Sequence, residues 1–203
     1  MKRINLILLL DASSSIRGTK PGILSDAANN LIQMFQTLTG ICPGLEANIG
    51  ALHFGDRVVS TSLCPAKNFV LEDLEFIGTT QMGAMFKVLS DELSTNPLLS
   101  SLDNTRTIIA LLSDGVATDV LSDGFQVLLS NPAFIASRRI AVAIGESVYL
   151  PLLSSFCTLT SDIYTAIRIE DVGIVMRQTI SSLVGPKPSL KYERKTKSLS
   201  EWD

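Results

Sequence analysis

Two almost unbroken aliphatic runs constrain this chain most: INLILLL at 4–10, and TRTIIALLSDG at 105–115 with its apolar centre. Each is the length of a strand. A strand apolar at both odd and even positions has no face left for water, so a layer must cover each side. The intervening segments supply those layers. Residues 22–38 carry Ile23, Leu24, Ala27, Leu31, Met34, Phe35 and Leu38 near helical spacing. Pro21 suits that helix's first turn and Gly40 its end. Further helices are expected at 81–94, 119–130, 147–156 and 170–184, and strands at 47–54, 57–63, 138–145 and 162–169. The Gly55-Asp56 pair marks a hairpin between two of the strands. The alternation predicts an α/β fold: a doubly wound, mainly parallel sheet with one antiparallel edge strand and helices on both faces.

Composition agrees with one large core. Of the 203 residues, 46% are hydrophobic and 18% charged, outside the range of disordered chains. The character changes at Gly185. GPKPSLKYERKTKSLSEWD is poor in apolar side chains, and its last 18 residues carry five basic and three acidic groups. The organisation expected is therefore a domain over 1–184 and a flexible basic tail over 185–203. Net charge is −3 and no long basic face is evident, which argues against nucleic acid as a partner. The start, MKRINLILLL, looks like a short signal peptide, but no A-x-A-like site follows it. It reads as a buried strand, in a cytoplasmic protein that does not enter the membrane.

Cys42, Cys64 and Cys157 are odd in number and form no CxxC pair, so reduced core thiols are expected. His53 is the one histidine. It occupies a strand position and reads as structural, which removes most Ser-His-Asp and His-rich metal schemes.

What remains is oxygen chemistry. Ligands of open α/β sheets bind beyond the carboxyl ends of the strands. Asp11, Ser13 and Ser15 follow the first strand directly, and Ser113, Asp114 and Gly115 follow the 105–112 strand. Thr79 and Thr80 precede the second helix. Hard divalent cations prefer such oxygen ligands and retain several waters. Two carboxylates balance the ion's charge. Three hydroxyls would fill most remaining positions, and one would stay open to an outside acid.

The same residues carry a resemblance. LLLDASSSIRG resembles the D-x-S-x-S motif of von Willebrand factor A (vWA) domains, GTTQMG their threonine-bearing loop, and LLSDG their strand-terminal [ST]-D-G. The resemblance covers residues 4 to about 184. It implies a metal-ion-dependent adhesion site, in which Asp11, Ser13 and Ser15 form the first loop, Thr80 the second and Asp114 the third. Thr79 lies beside Thr80, where the family often has glycine, and Ser14 also stands where glycine is common. The resemblance implies Mg²⁺, or Mn²⁺ or Ca²⁺, and a partner protein that supplies an Asp or Glu to the metal. LLSDGVATD is similar to the compact bacterial, TerY-like tellurite-resistance subgroup. That similarity implies a non-enzymatic binding module of a stress-response or phosphorylation system, with a kinase or phosphatase as partner.

Two rivals are weighed against it. Haloacid-dehalogenase-type, Mg²⁺-dependent phosphatases also place an Asp after the first strand. They need a second acid two residues on, where this chain has Ser13. They also need a Lys and an acidic pair downstream, of which only Asp114 fits. A nucleotide-binding Rossmann module would carry G-x-G-x-x-G or a P-loop, and the sequence has neither. Local readings also apply: Asp119 as the cap of its own helix, Gly83 and Ala84 as close-packing residues and Asp56 as part of the hairpin turn.

Overall fold

The computed structural model describes residues 1–101 and 103–184; the expected tail, 185–203, lies outside the described residues. The elements run β1 (Lys2–Asp11), α1 (Lys20–Gly40), β2 (Leu45–Phe54), β3 (Val58–Pro65), α2 (Met82–Thr95), α3 (Pro97–Ser100) and β4 (Thr105–Ser113). They continue α4 (Leu121–Leu129), α5 (Pro132–Ala136), β5 (Arg138–Ala143), α6 (Leu150–Phe156), β6 (Ile163–Thr165) and α7 (Val172–Val184). Among the described residues six strands form one sheet in the order β3-β2-β1-β4-β5-β6. All pairings are parallel except β2 with β3, which places the antiparallel strand at an edge as expected.

The connections explain where a site can form. From β1 the chain crosses by α1 to β2 on one side, then returns by α2 and α3 to β4 on the other. The carboxyl ends of β1 and β4 therefore flank the point where the winding reverses. At such a switch point the connecting segments diverge and leave a crevice.

Alternation along each strand splits the core in two. On β1, Ile4, Leu6, Leu8 and Leu10 pack with residues of α1 and α7, including Leu31, Phe35, Val175 and Met176. Ile7 and Leu9 face the other layer, with Phe86 of α2, Leu128 of α4 and Phe156 of α6. Each such side chain contributes about 1.5–3 kcal/mol when fully buried, so both layers are held to the sheet by the same central strands.

The second layer needs two glycines. A Cβ on Gly124 of α4 would collide with the carbonyl oxygen of Gly83 in α2, and one on Gly83 would collide with that of Val120. These helices touch through backbone, which bears out the close-packing reading of Gly83.

Several local expectations change. The strand expected over 162–169 is only Ile163–Thr165, followed by a 3-10 turn over Ala166–Asp171. An extended strand would put Ile167 and Ile169 on one face. The turn instead buries Ile169 and leaves Ile167 90% exposed. Glu170 and Asp171 fall in this turn, so the last helix starts at Val172 rather than at 170. The short helices α3 and α5 were not anticipated. Each follows an Asn-Pro pair: Asn96 Oδ1 accepts from the Leu98 N–H, and Asn131 Oδ1 from Ala133 and Phe134. Asparagine caps and proline at the first turn are standard helix starts.

All three cysteines are free thiols. Cys157 is buried, and burial pushes its thiol up to about 12, so it stays protonated near neutral pH.

Replacing Gly124 by valine tests the backbone contact. Forcing methyl groups between α4 and α2 should destabilise the fold by about 1–3 kcal/mol. Urea unfolding followed by circular dichroism measures it; unchanged stability would mean the helices can part without cost.

Candidate metal site

Residues from two loops meet at the switch point. Asp11 is the last residue of β1 and is fully buried. Its Oδ1 accepts from the Ser13 N–H at 3.1 Å and from the Ser13 hydroxyl at 2.6 Å. Its Oδ2 accepts from the Ser113 hydroxyl, at the end of β4, at 2.6 Å. Ser113 Oγ in turn accepts from the Gly115 N–H at 2.9 Å. Burial pushes the Asp11 carboxyl up; the Ser113 and Ser13 bonds oppose this, and the charge of Asp114 adds to it.

Asp114 has one oxygen tied to its own loop and one facing the first loop. Its Oδ1 accepts from the Val116 N–H at 3.1 Å. Its Oδ2 accepts from the Ser15 hydroxyl at 3.1 Å. Ser13 Oγ and Ser15 Oγ are 3.0 Å apart. Four oxygens thus form a chain from one carboxylate to the other: Asp11 Oδ1, Ser13 Oγ, Ser15 Oγ, Asp114 Oδ2. The chain has three short contacts, and each hydroxyl has one proton to donate. Two protons cannot satisfy three contacts between ionised carboxylates. One contact is left without a proton, so the cluster is rich in oxygen and short of positive charge; among the described residues Lys20 Nζ, 3.5 Å from Asp114 Oδ2, is the one ammonium beside it.

That deficiency is the test of fit for a hard cation, and the donor set passes it. The side chains are carboxylate and hydroxyl, the ligand types Mg²⁺ and Ca²⁺ prefer. Among the described residues no three His, Cys, Asp or Glu side chains come together. A cation here would draw on two carboxylates, hydroxyls and water.

The threonine loop is tied to the first loop by backbone. The Ile77 N–H donates to the Ala12 carbonyl at 3.0 Å, and the Ser14 N–H to that of Gly78 at 3.1 Å. The Ser14 hydroxyl reaches the same Gly78 oxygen at 2.7 Å. The serine at the expected glycine position is therefore a brace between loops. Asp56 Oδ1 accepts from the Thr79 N–H at 2.6 Å and its hydroxyl at 3.0 Å, which holds the Asp56 carboxyl below its usual range. Asp56 lies in the hairpin turn, as expected, but also anchors this second loop.

Thr80 is only 2% exposed. Its N–H donates to Thr118 Oγ1 at 2.8 Å, and its carbonyl accepts from the Thr118 N–H at 3.1 Å. Among the described residues its hydroxyl makes no hydrogen bond with the four-oxygen chain. Asp11, Ser13, Ser15 and Asp114 are thus brought together, while Thr80 is set on the adjoining loop at the head of α2.

Asp119 does not cap its own helix. Its two oxygens accept from the Gly83 and Ala84 N–H groups, each at 3.0 Å, and so cap α2. The close approach of α2 and α4 brings that cap within reach. Lys20, Thr118 and the trans role of Asp119 were missed by sequence reasoning. No local pattern reports these contacts; the Asp-x-helix signal of Asp119 fits either helix.

The comparisons with known proteins concern the fold. No family profile matches the sequence, and no curated protein matches it. Solved structures do match. Proximal thread matrix protein 1 from the mussel byssus is 16% identical, with a TM-score of 0.58, over 89% of this chain and 48% of that one. VWA2, the ArnB paralog from Sulfolobus acidocaldarius, is 20% identical, with a TM-score of 0.59, over 88% and 45%. The von Willebrand factor type A protein from Catenulispora acidiphila is 15% identical, with a TM-score of 0.61, over 89% and 43%. This chain spans less than half the length of each. The fold is that of the vWA domain, a mainly parallel α/β sheet wrapped by helices.

Asp119→Ala should cost about 1 kcal/mol by releasing two N–H groups of α2. Urea denaturation measures this, with amide hydrogen exchange at Gly83 and Ala84 as the local readout. Faster exchange in α4 but not in α2 would restore the cap to its own helix.

Proposed function

We propose that this domain is a metal-dependent protein-binding module of the adhesion-site type. The observation that carries the reading is the proton-deficient chain of four oxygens between Asp11 and Asp114. Mg²⁺ is the favoured ion, with Mn²⁺ or Ca²⁺ as substitutes. Asp11, Ser13, Ser15 and Asp114 would hold it, directly or through water. Thr80 would add the hydroxyl of the second loop, and the engagement of Thr79 with Asp56 supports choosing Thr80. When bound, the ion supplies an electrophilic position for the Asp or Glu of a partner protein. An ion with an unfilled coordination position gains from closing its shell with a carboxylate oxygen.

The fold neighbours support this reading in kind. One structure of the mussel protein, 17% identical and with a TM-score of 0.59, is described as having a zinc-occupied MIDAS motif. The phosphatase alternative gains nothing from the geometry. Both Asp11 oxygens accept hydrogen bonds in a fully buried setting, and a hydroxyl, Ser13, stands where that chemistry needs a second acid. The module is therefore read as non-catalytic. The setting proposed is a cytoplasmic, tellurite-resistance-like stress system, with a kinase or phosphatase as the acid-bearing partner. Among the described residues no helix is long and apolar enough to cross a membrane.

Capture from extracts of the source cell tests the proposal. A partner should bind in Mg²⁺, be lost in EDTA, and fail to bind Asp11→Ala or Asp114→Ala, while both variants keep the circular dichroism of the parent. Undiminished capture in EDTA, or by the Asp11 variant, would overturn it.

A further inference from the structure

A charged side chain outside the proposed ligand set reaches into it. Lys20 is the first residue of α1. Its Nζ lies 3.5 Å from Asp114 Oδ2 and 3.3 Å from the Ser15 carbonyl oxygen. Asp114 Oδ2 is the same oxygen that accepts from the Ser15 hydroxyl, the far end of the four-oxygen chain. Among the described residues no other Lys or Arg pairs with Asp11 or Asp114.

The arm of Lys20 has a bed. Gly145, just beyond β5, has φ +98°, and a Cβ there would come within 2.5 Å of Lys20 Cε and 3.1 Å of Nζ. The missing side chain leaves the room through which the lysine stem passes. The pair is largely sheltered, with the Lys20 side chain 25% exposed and that of Asp114 4%. This is not a loose surface pair of the kind that water and salt screen.

We infer that Lys20 is the site's built-in counter-ion: it neutralises Asp114 in the metal-free domain and opposes the divalent cation that the same oxygens would hold. The inference rests on the metal-site reading above. An ammonium carries one charge and donates only hydrogen bonds, so it relieves the excess negative charge at one end of the chain. It does not replace an ion shared by both carboxylates. When the cation is held, the ammonium is a like charge beside a double charge and has to withdraw from Asp114 Oδ2. Lys20 therefore stabilises the apo domain and sets metal affinity lower than the ligand set alone would give.

Titration of the full chain with Mn²⁺, reading free Mn²⁺ by electron paramagnetic resonance, tests this. The proteins compared are the parent, Lys20→Met, Lys20→Gln, Lys20→Arg and Asp11→Ala. Both neutral Lys20 variants should bind about ten- to thirtyfold more tightly than the parent, the size of repulsion between a single and a double charge about 4–6 Å apart in water. Lys20→Arg should stay near the parent, because charge rather than length decides. Without metal the neutral variants should melt at lower temperature than the parent, and saturating Mn²⁺ should raise their melting temperature by more. Neutral variants that fold and bind Mn²⁺ no tighter than the parent, with binding lost in Asp11→Ala, would overturn the counter-ion and leave the metal site standing. No saturable Mn²⁺ binding by the parent or by either neutral variant would overturn the metal site and this inference with it.

Discussion

The parallel pairing of β1 with β4 is the constraint on which everything else depends. Its register sets Leu10 opposite Leu112, so the next residues, Asp11 and Ser113, leave the sheet side by side. Their 2.6 Å hydrogen bond is the direct consequence. Shift β1 by one residue and Leu10 would replace the carboxylate at the switch point; shift β4 and Leu112 would replace the Ser113 hydroxyl. The aliphatic runs that bury these strands on both faces are thus also what aims the site. Burial energy of both layers is spent holding two short loops a few ångströms apart.

Electrostatics give that arrangement its purpose. Two carboxylates brought together at the end of a buried sheet repel each other, and burial makes ionisation of Asp11 harder still. Local donors answer only part of this: Ser13 and Ser113 on one acid, Val116, Ser15 and Lys20 on the other. The shortage of protons along the Asp11–Ser13–Ser15–Asp114 chain follows from counting hydroxyls. A site that only stabilised the fold would have been better served by one fewer carboxylate. Retaining both fits a cluster that is completed by something positive, from within the chain, from solution, or each in turn.

Much of this was legible in the sequence, and the reasons differ by element. The central strands were readable because two-sided burial leaves an unbroken aliphatic run. The antiparallel edge strand was readable from the Gly55-Asp56 turn signal. The last strand was overextended because Ile163, Ile167 and Ile169 suit a strand by type, and only packing against α1 and α7 decides that the chain turns after Thr165. Asp11, Ser13, Ser15 and Asp114 could be found because each is tied to a strand end, where topology determines position. Contacts between loops were invisible. Lys20 and Asp114 are 94 residues apart, Ser14 and Gly78 are 64 apart, and Asp119 caps a helix that precedes it in the chain. Such pairs depend on how helices approach across a layer, which one-dimensional spacing does not encode.

The central claim is that side chains of separate loops surround one hard cation at the β1–β4 switch point. Diffraction from crystals soaked in Mn²⁺, with the anomalous signal mapped, addresses it most directly. The account predicts one strong peak between the Asp11 and Asp114 carboxylates, within coordination distance of the Ser13 and Ser15 hydroxyls or of waters they hold. A map with no peak there under saturating Mn²⁺, or with the ion held elsewhere, would contradict it.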